Sequence, residues 1–149
     1  MKKLIAYFSA TGTTKKKAER LAKITGGDLY EIMPEKPYTS GDLNWQDKKS
    51  RTTLEYKDKD CRPELKEKHK DLSGYDVIYI GFPVWWYTYP KIINSFIEAN
   101  DFKGKKTVLF CTSGGTGIEK IAEQMKKEYP DIDLIGSELV NGPILKDII

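Results

Sequence analysis

The chain is poor in the residues that build metal centres and hydrolytic sites. Its 149 residues include one histidine, His69, and two cysteines, Cys61 and Cys111. The cysteines lie far apart with no metal-ligand spacing. His69 sits in a charged surface segment and is read as incidental, and no carboxylate pair stands out. Long apolar runs are scarce too. The longest, Val77–Tyr87, is interrupted by Gly81 and Pro83 and is too short to cross a bilayer. Charge of one sign is lacking as well: 25 Lys+Arg against 22 Asp+Glu leave only +3, too mild and too mixed to suggest nucleic acid. The basic start, Met1-Lys2-Lys3, precedes an apolar run of roughly six residues, shorter than a secretory signal needs. These absences make the cytoplasm the expected compartment, with no membrane insertion. The length suits one domain, 1–149, with a core that needs no disulfide.

Apolar segments alternate between two periodicities. Leu4–Phe8 reads as a buried strand, and Ala18, Leu21, Ala22 and Thr25 form a helical stripe that Gly26-Gly27 ends. A weaker strand over Asp28–Met33 stops at Pro34. The stretch 35–73 is densely charged and reads as a long loop, with a short polar helix expected over Glu64–Lys70. Leu43, Trp45 and Tyr56 argue that part of this loop docks on something. Tyr75–Phe82 is the strongest strand, and Pro90 opens a helix striped by Ile92, Ile93, Phe96 and Ile97. Lys105–Cys111 is another buried strand, Ile118, Ile121, Ala122 and Met125 mark a helix, and Ile132–Ile135 is a last short strand. Asn141-Gly142-Pro143 precedes a brief closing helix. This alternation predicts an α/β fold: a doubly wound, five-stranded parallel sheet in three layers, order 2-1-3-4-5.

Ligands of such sheets bind beyond the carboxyl ends of the strands, and three loops there have unusual compositions. Ser9-Ala10-Thr11-Gly12-Thr13-Thr14 offers hydroxyls and backbone N–H groups at a helix start, which suits a phosphate. It has neither the Walker A spacing nor the G-x-G-x-x-G spacing. Pro83-Val84-Trp85-Trp86-Tyr87-Thr88-Tyr89 can sandwich a flat aromatic ligand. Thr112-Ser113-Gly114-Gly115-Thr116-Gly117 leaves backbone free for the polar edge of a ring.

With Tyr7–Thr14, Gly81–Trp86 and Thr112–Gly115 in place, the chain resembles a short-chain flavodoxin that binds flavin mononucleotide (FMN). Tyr38, Asp42-Leu43-Asn44-Trp45 and Ser50-Arg51 resemble a segment of one bacterial branch of that family. The resemblance implies that Ser9, Thr11, Gly12, Thr13 and Thr14 hold the phosphate. It implies that Pro83, Val84, Trp85, Trp86 and Tyr87 line the ribityl chain and the isoalloxazine, with Trp85 first choice for stacking. Thr112, Ser113, Gly114, Gly115 and Gly117 would contact the ring edge, and Asn44 and Trp45 would complete the pocket. Many relatives carry Asn where Thr13 stands.

The expected function is electron transfer through a non-covalently bound flavin, to a redox partner protein or a small-molecule acceptor. The alternative is an FMN-dependent NAD(P)H:quinone-type oxidoreductase. Lys15-Lys16-Lys17 permits the latter, although such a run ordinarily is a solvated helix face. A receiver-type signalling domain is disfavoured, because Gly81-Phe82-Pro83 stands where its aspartate would be. The short carboxyl-terminal helix leaves a thinly covered sheet face that a second copy of the chain could mask, making a homodimer the candidate assembly.

Overall fold

The computed structural model describes residues 1–112 and 117–140. Along the chain the elements are β1 (Lys3–Tyr7), α1 (Thr13–Thr25), β2 (Asp28–Glu31), α2 (Arg51–Lys57) and β3 (Val77–Pro83). They continue with α3 (Lys91–Ala99), β4 (Lys106–Thr112), α4 (Ile118–Glu128) and β5 (Asp133–Leu139). The five strands form one parallel sheet in the order β2-β1-β3-β4-β5, as the alternation of patterns predicts.

Successive strand residues point to opposite faces, and in β1, β3 and β4 both faces are buried, while β2 and β5 at the sheet edges are more exposed. Leu4, Ala6 and Phe8 join Ile78, Ile80 and Phe82 in a core shared with α3 and α4. Ile5 and Tyr7 join Val77, Tyr79, Val108 and Phe110 in a second core beneath Ala18 and Leu21 of α1. That explains why β1, β3 and β4 read as continuous apolar runs rather than alternating ones. At Gly81 a Cβ would come within 2.1 Å of the Phe110 ring, so glycine is what lets that ring cross β3. α1 ends as expected, with Gly26 left-handed at φ 72° and its N–H donating to the Ala22 carbonyl.

The stretch 35–73 departs from its sequence reading. Glu64–Lys70 is not helical: Leu65 forms an antiparallel bridge with Pro34, and the Lys66 N–H donates to the Met33 carbonyl at 2.8 Å. Leu65 is the one strongly apolar residue of that segment, so a helix there would have no stripe to bury. The helix lies instead at Arg51–Lys57, capped by Ser50, whose side chain accepts the Thr53 N–H. Its buried positions are Thr52 and Thr53, which leave no hydrophobic period to read. β5 also runs on to Leu139 instead of stopping at Ile135, carried through Gly136 and Ser137 by its pairing with β4. The expected closing helix after Pro143 lies outside the described residues.

Candidate functional site

Parallel order brings the carboxyl ends of β1, β3 and β4 side by side, and short hydrogen bonds tie their loops together. The Thr112 hydroxyl is 2.8 Å from the Thr14 hydroxyl, in a buried contact spanning β4 and the start of α1. The Thr112 carbonyl accepts the Val84 N–H at 3.0 Å, and the Gly81 carbonyl accepts the Phe8 N–H at 2.9 Å. Thr112 thus joins all three loops.

The first loop is shaped around an open helix start. Gly12, at φ 95°, occupies the cap position of α1 and has no side chain with which to cap the helix. A left-handed backbone of this kind favours glycine. The Ser9 Oγ accepts the N–H groups of Gly12 and Lys15 at 3.1 and 3.2 Å, leaving its own proton to donate. Thr11 and Thr13 are exposed at this end. Thr14 is buried, and its hydroxyl is committed to Thr112, so what it can offer an anion is its N–H. A helix start flanked by hydroxyls, with the Thr13 and Thr14 N–H groups open and no acidic residue in the first turn, fits a phosphate group.

The second loop is a tight hairpin. Trp85 and Thr88 exchange two backbone hydrogen bonds of 3.0 Å, with Trp86 and Tyr87 between them at φ 53° and 65°. Two bulky residues in the left-handed region store strain. The turn divides the aromatics by role. Trp85 is part-buried, its ring edge-on to Phe8 at 5.4 Å and to Tyr38 at 5.3 Å. Trp86 lies parallel to Tyr56 of α2, with ring centres 5.1 Å apart and planes 12° apart. Tyr87 is 76% exposed. The docking expected of Tyr56 is therefore onto the aromatic loop itself.

Behind these rings stands a charged clamp from the segment that the sequence leaves irregular. Arg51 lies 3.8 Å above the Tyr38 ring, donates to Glu55 at 3.0 Å and donates to the Lys36 carbonyl at 2.7 Å. The Tyr38 hydroxyl donates to the same carboxylate at 2.6 Å. Burial, reinforced by that bond, holds the Tyr38 phenol protonated well above its ordinary range. On the other flank the Thr88 hydroxyl donates to Gln124, and Tyr89 donates to Glu128, fastening the turn to α4.

Of the expected site residues, the structure unites Ser9, Thr11, Gly12, Thr13, Thr14, Pro83, Val84, Trp85, Trp86, Tyr87 and Thr112 on three joined loops. Gly117 caps α4 just beyond the third loop. Ser113, Gly114 and Gly115 lie outside the described residues. Asn44 and Trp45 stand on an exposed turn before α2, where the Asn44 side chain accepts the Gln46 N–H. Trp45 is 65% exposed. Among the described residues no hydrogen bond or ring contact links this pair to the three loops. Phe8 and Glu55 are not legible as site residues in the sequence, where Tyr38 and Arg51 stand only as marks of resemblance. An aromatic followed by Arg and Glu four residues apart is too common a pattern to have singled them out.

Fold and loops together define a doubly wound protein whose strand ends present groups suited to a phosphate and a flat ring. The chain belongs to the flavodoxin family, whose model matches residues 2–149. Among solved structures it is similar to a protein from Bacteroides eggerthii DSM 20697 that carries a provisional flavoprotein description. That pair is 49% identical with a TM-score of 0.92, covering 95% of this chain and 89% of the other. A flavoprotein from Lactobacillus acidophilus NCFM, solved in complex with FMN, is 26% identical with a TM-score of 0.72, covering 93% and 92%. Among curated proteins, the NAD(P)H dehydrogenase [quinone] 1 of Rattus norvegicus is 24% identical over 64% of this chain. The chain spans 43% of that relative's length.

Proposed function

We propose that this chain binds FMN non-covalently at the β1, β3 and β4 loops and serves in electron transfer. The observation that carries this reading is the convergence, through Thr112, of a helix start with open N–H groups and a strained aromatic turn. Family membership and the FMN complex of the Lactobacillus acidophilus flavoprotein support the choice of cofactor. When bound, a flavin supplies reversible one- and two-electron chemistry, and the protein supplies its binding and environment. The N–H groups of Thr13 and Thr14 and the hydroxyls of Ser9, Thr11 and Thr13 would hold the phosphate. Trp86 and Tyr87 would lie against the ring, since Trp85 is engaged edge-on behind them. Asn44 and Trp45 would reach the pocket only by a shift of their turn.

The absorption spectrum tests this directly. Purified or FMN-reconstituted protein should be yellow, with flavin bands near one equivalent per chain. A colourless protein that takes up no FMN refutes the reading. The quinone dehydrogenase likeness favours a second use of the same pocket, hydride transfer from NAD(P)H to a quinone. Rapid NADH or NADPH oxidation with a quinone acceptor would select it, and no turnover with either nucleotide would select electron carriage.

A further inference from the structure

The charge of this protein is unevenly placed. α1 carries Lys15, Lys16, Lys17, Arg20 and Lys23 against the single acid Glu19, and so exceeds by itself the +3 of the whole chain. Lys15, Lys16 and Lys23 are exposed, and among the described residues no carboxylate pairs with them.

Local helix physics opposes this arrangement. Cations are disfavoured at the positive amino end of a helix dipole, yet Lys15 and Lys16 occupy the first turn of α1, which holds no acid, the nearest along the helix being Glu19 one turn on. Lys16 and Arg20 add a like-charge pair one turn apart. α4 shows the favoured order, with Glu119 in its first turn and Lys126 and Lys127 in its last. Lys15 and Lys16 therefore gain nothing from the dipole of the helix that bears them, whereas Lys23, in the last turn and four residues after Glu19, sits where a cation is favoured.

Position offers a use for them. α1 starts on the phosphate-loop side of the site, and its 13 residues extend a charged ridge for about 20 Å at 1.5 Å per residue. Electron-transfer encounters are typically small, short-lived and steered by charge. We infer that the exposed lysines of α1 form the docking face for a redox partner protein with an acidic surface. The inference rests on the proposed flavin site for its location.

The test uses the full chain and the variant Lys15→Gln/Lys16→Gln/Lys23→Gln, which keeps good helix formers and leaves the phosphate loop unaltered. Fluorescently labelled poly-L-glutamate, followed by anisotropy, needs no flavin. The unaltered chain should bind it with strong salt dependence, and the variant should lose about fivefold or more in affinity. Its melting temperature should change by no more than about 2 °C, relief at Lys15 and Lys16 offsetting the loss of Lys23 from the favoured end, whereas a structural role for the lysines would lower it further. In FMN-loaded, dithionite-reduced protein, oxidation by the trianion ferricyanide should slow several-fold in the variant. Oxidation by the trication hexaammineruthenium(III) should hold or quicken. Unchanged poly-L-glutamate affinity, or equal slowing with both oxidants, overturns the docking face. A loss seen only in NADPH oxidation overturns it too, by assigning the lysines to a dinucleotide phosphate. A chain that takes up no FMN yet binds poly-L-glutamate through these lysines refutes the cofactor reading alone.

Discussion

The hairpin at Trp86 and Tyr87 offers a test in which stability and binding should move in opposite directions. Tyr87 has φ 65° and is 76% exposed. A left-handed backbone costs a residue with a Cβ about 1–2 kcal/mol, and so exposed a ring recovers little of this by burial. Tyr87→Gly removes that cost but adds unfolded-state freedom of up to about 1 kcal/mol. The net expectation is a flavin-free protein about 0.5 kcal/mol more stable, raising the melting temperature by about 1–2 °C. Tyr87→Ala keeps the backbone cost and gives up the ring, so it should fall below the glycine variant by about 1 kcal/mol. Both variants lose a stacking partner, worth about 0.5–1.5 kcal/mol or roughly a 2–10-fold weaker Kd for FMN. Urea unfolding of the flavin-free protein and a fluorescence titration with FMN measure the two quantities. A glycine variant that is less stable than the alanine variant, with unaltered FMN affinity, refutes the assignment of strain and ligand contact to this residue.

Other positions give sharp outcomes. Gly81→Ala would place a Cβ 2.1 Å from the Phe110 ring; overpacking should cost about 1–3 kcal/mol in urea unfolding, part of it recovered by adding Phe110→Leu. Arg51→Gln removes the cation above Tyr38 and leaves Glu55 without its 3.0 Å partner; a loss of about 1–2 kcal/mol and a change in the near-ultraviolet circular dichroism are expected. Cys111 is fully buried, with its thiol pushed up to about 12 by burial, whereas Cys61 is partly exposed; a thiol reagent should label one site in native protein and two after unfolding. Burial raises Tyr7 and Tyr129 to about 12, with carboxylate contacts adding to the shift, so the folded protein keeps protons that the unfolded chain releases above 10. Stability should hold below pH 10 and fall from there towards 12, as chemical unfolding in alkaline buffers would record.

Much of this molecule is legible in its sequence because β1, β3 and β4 are buried on both faces and write unbroken apolar runs. The stripes of α1, α3 and α4 are equally plain. What escapes is tertiary in origin. α2 buries threonines, and Leu65 takes an extended bridge because one apolar side chain cannot anchor a helix. At the site, composition picks out the loops but not the division of labour within them. Nothing in Trp85-Trp86-Tyr87 says that the first ring turns inward to Phe8 and Tyr38 while the next two are held outward. That division arises from two positive φ angles and from rings supplied by residues far away in sequence.

The placement of the tryptophans has a practical consequence. The chain has three: Trp85 and Trp86 in the aromatic turn, and Trp45 in the exposed loop before α2. None lies deep in either sheet core, and two of the three stand in the aromatic turn, so intrinsic emission reports the loops and not the sheet. Denaturation curves followed by tryptophan fluorescence will report the loosening of these loops, while far-ultraviolet dichroism reports loss of the sheet. Where the two curves separate, the gap measures how independently the pocket opens from the scaffold beneath it.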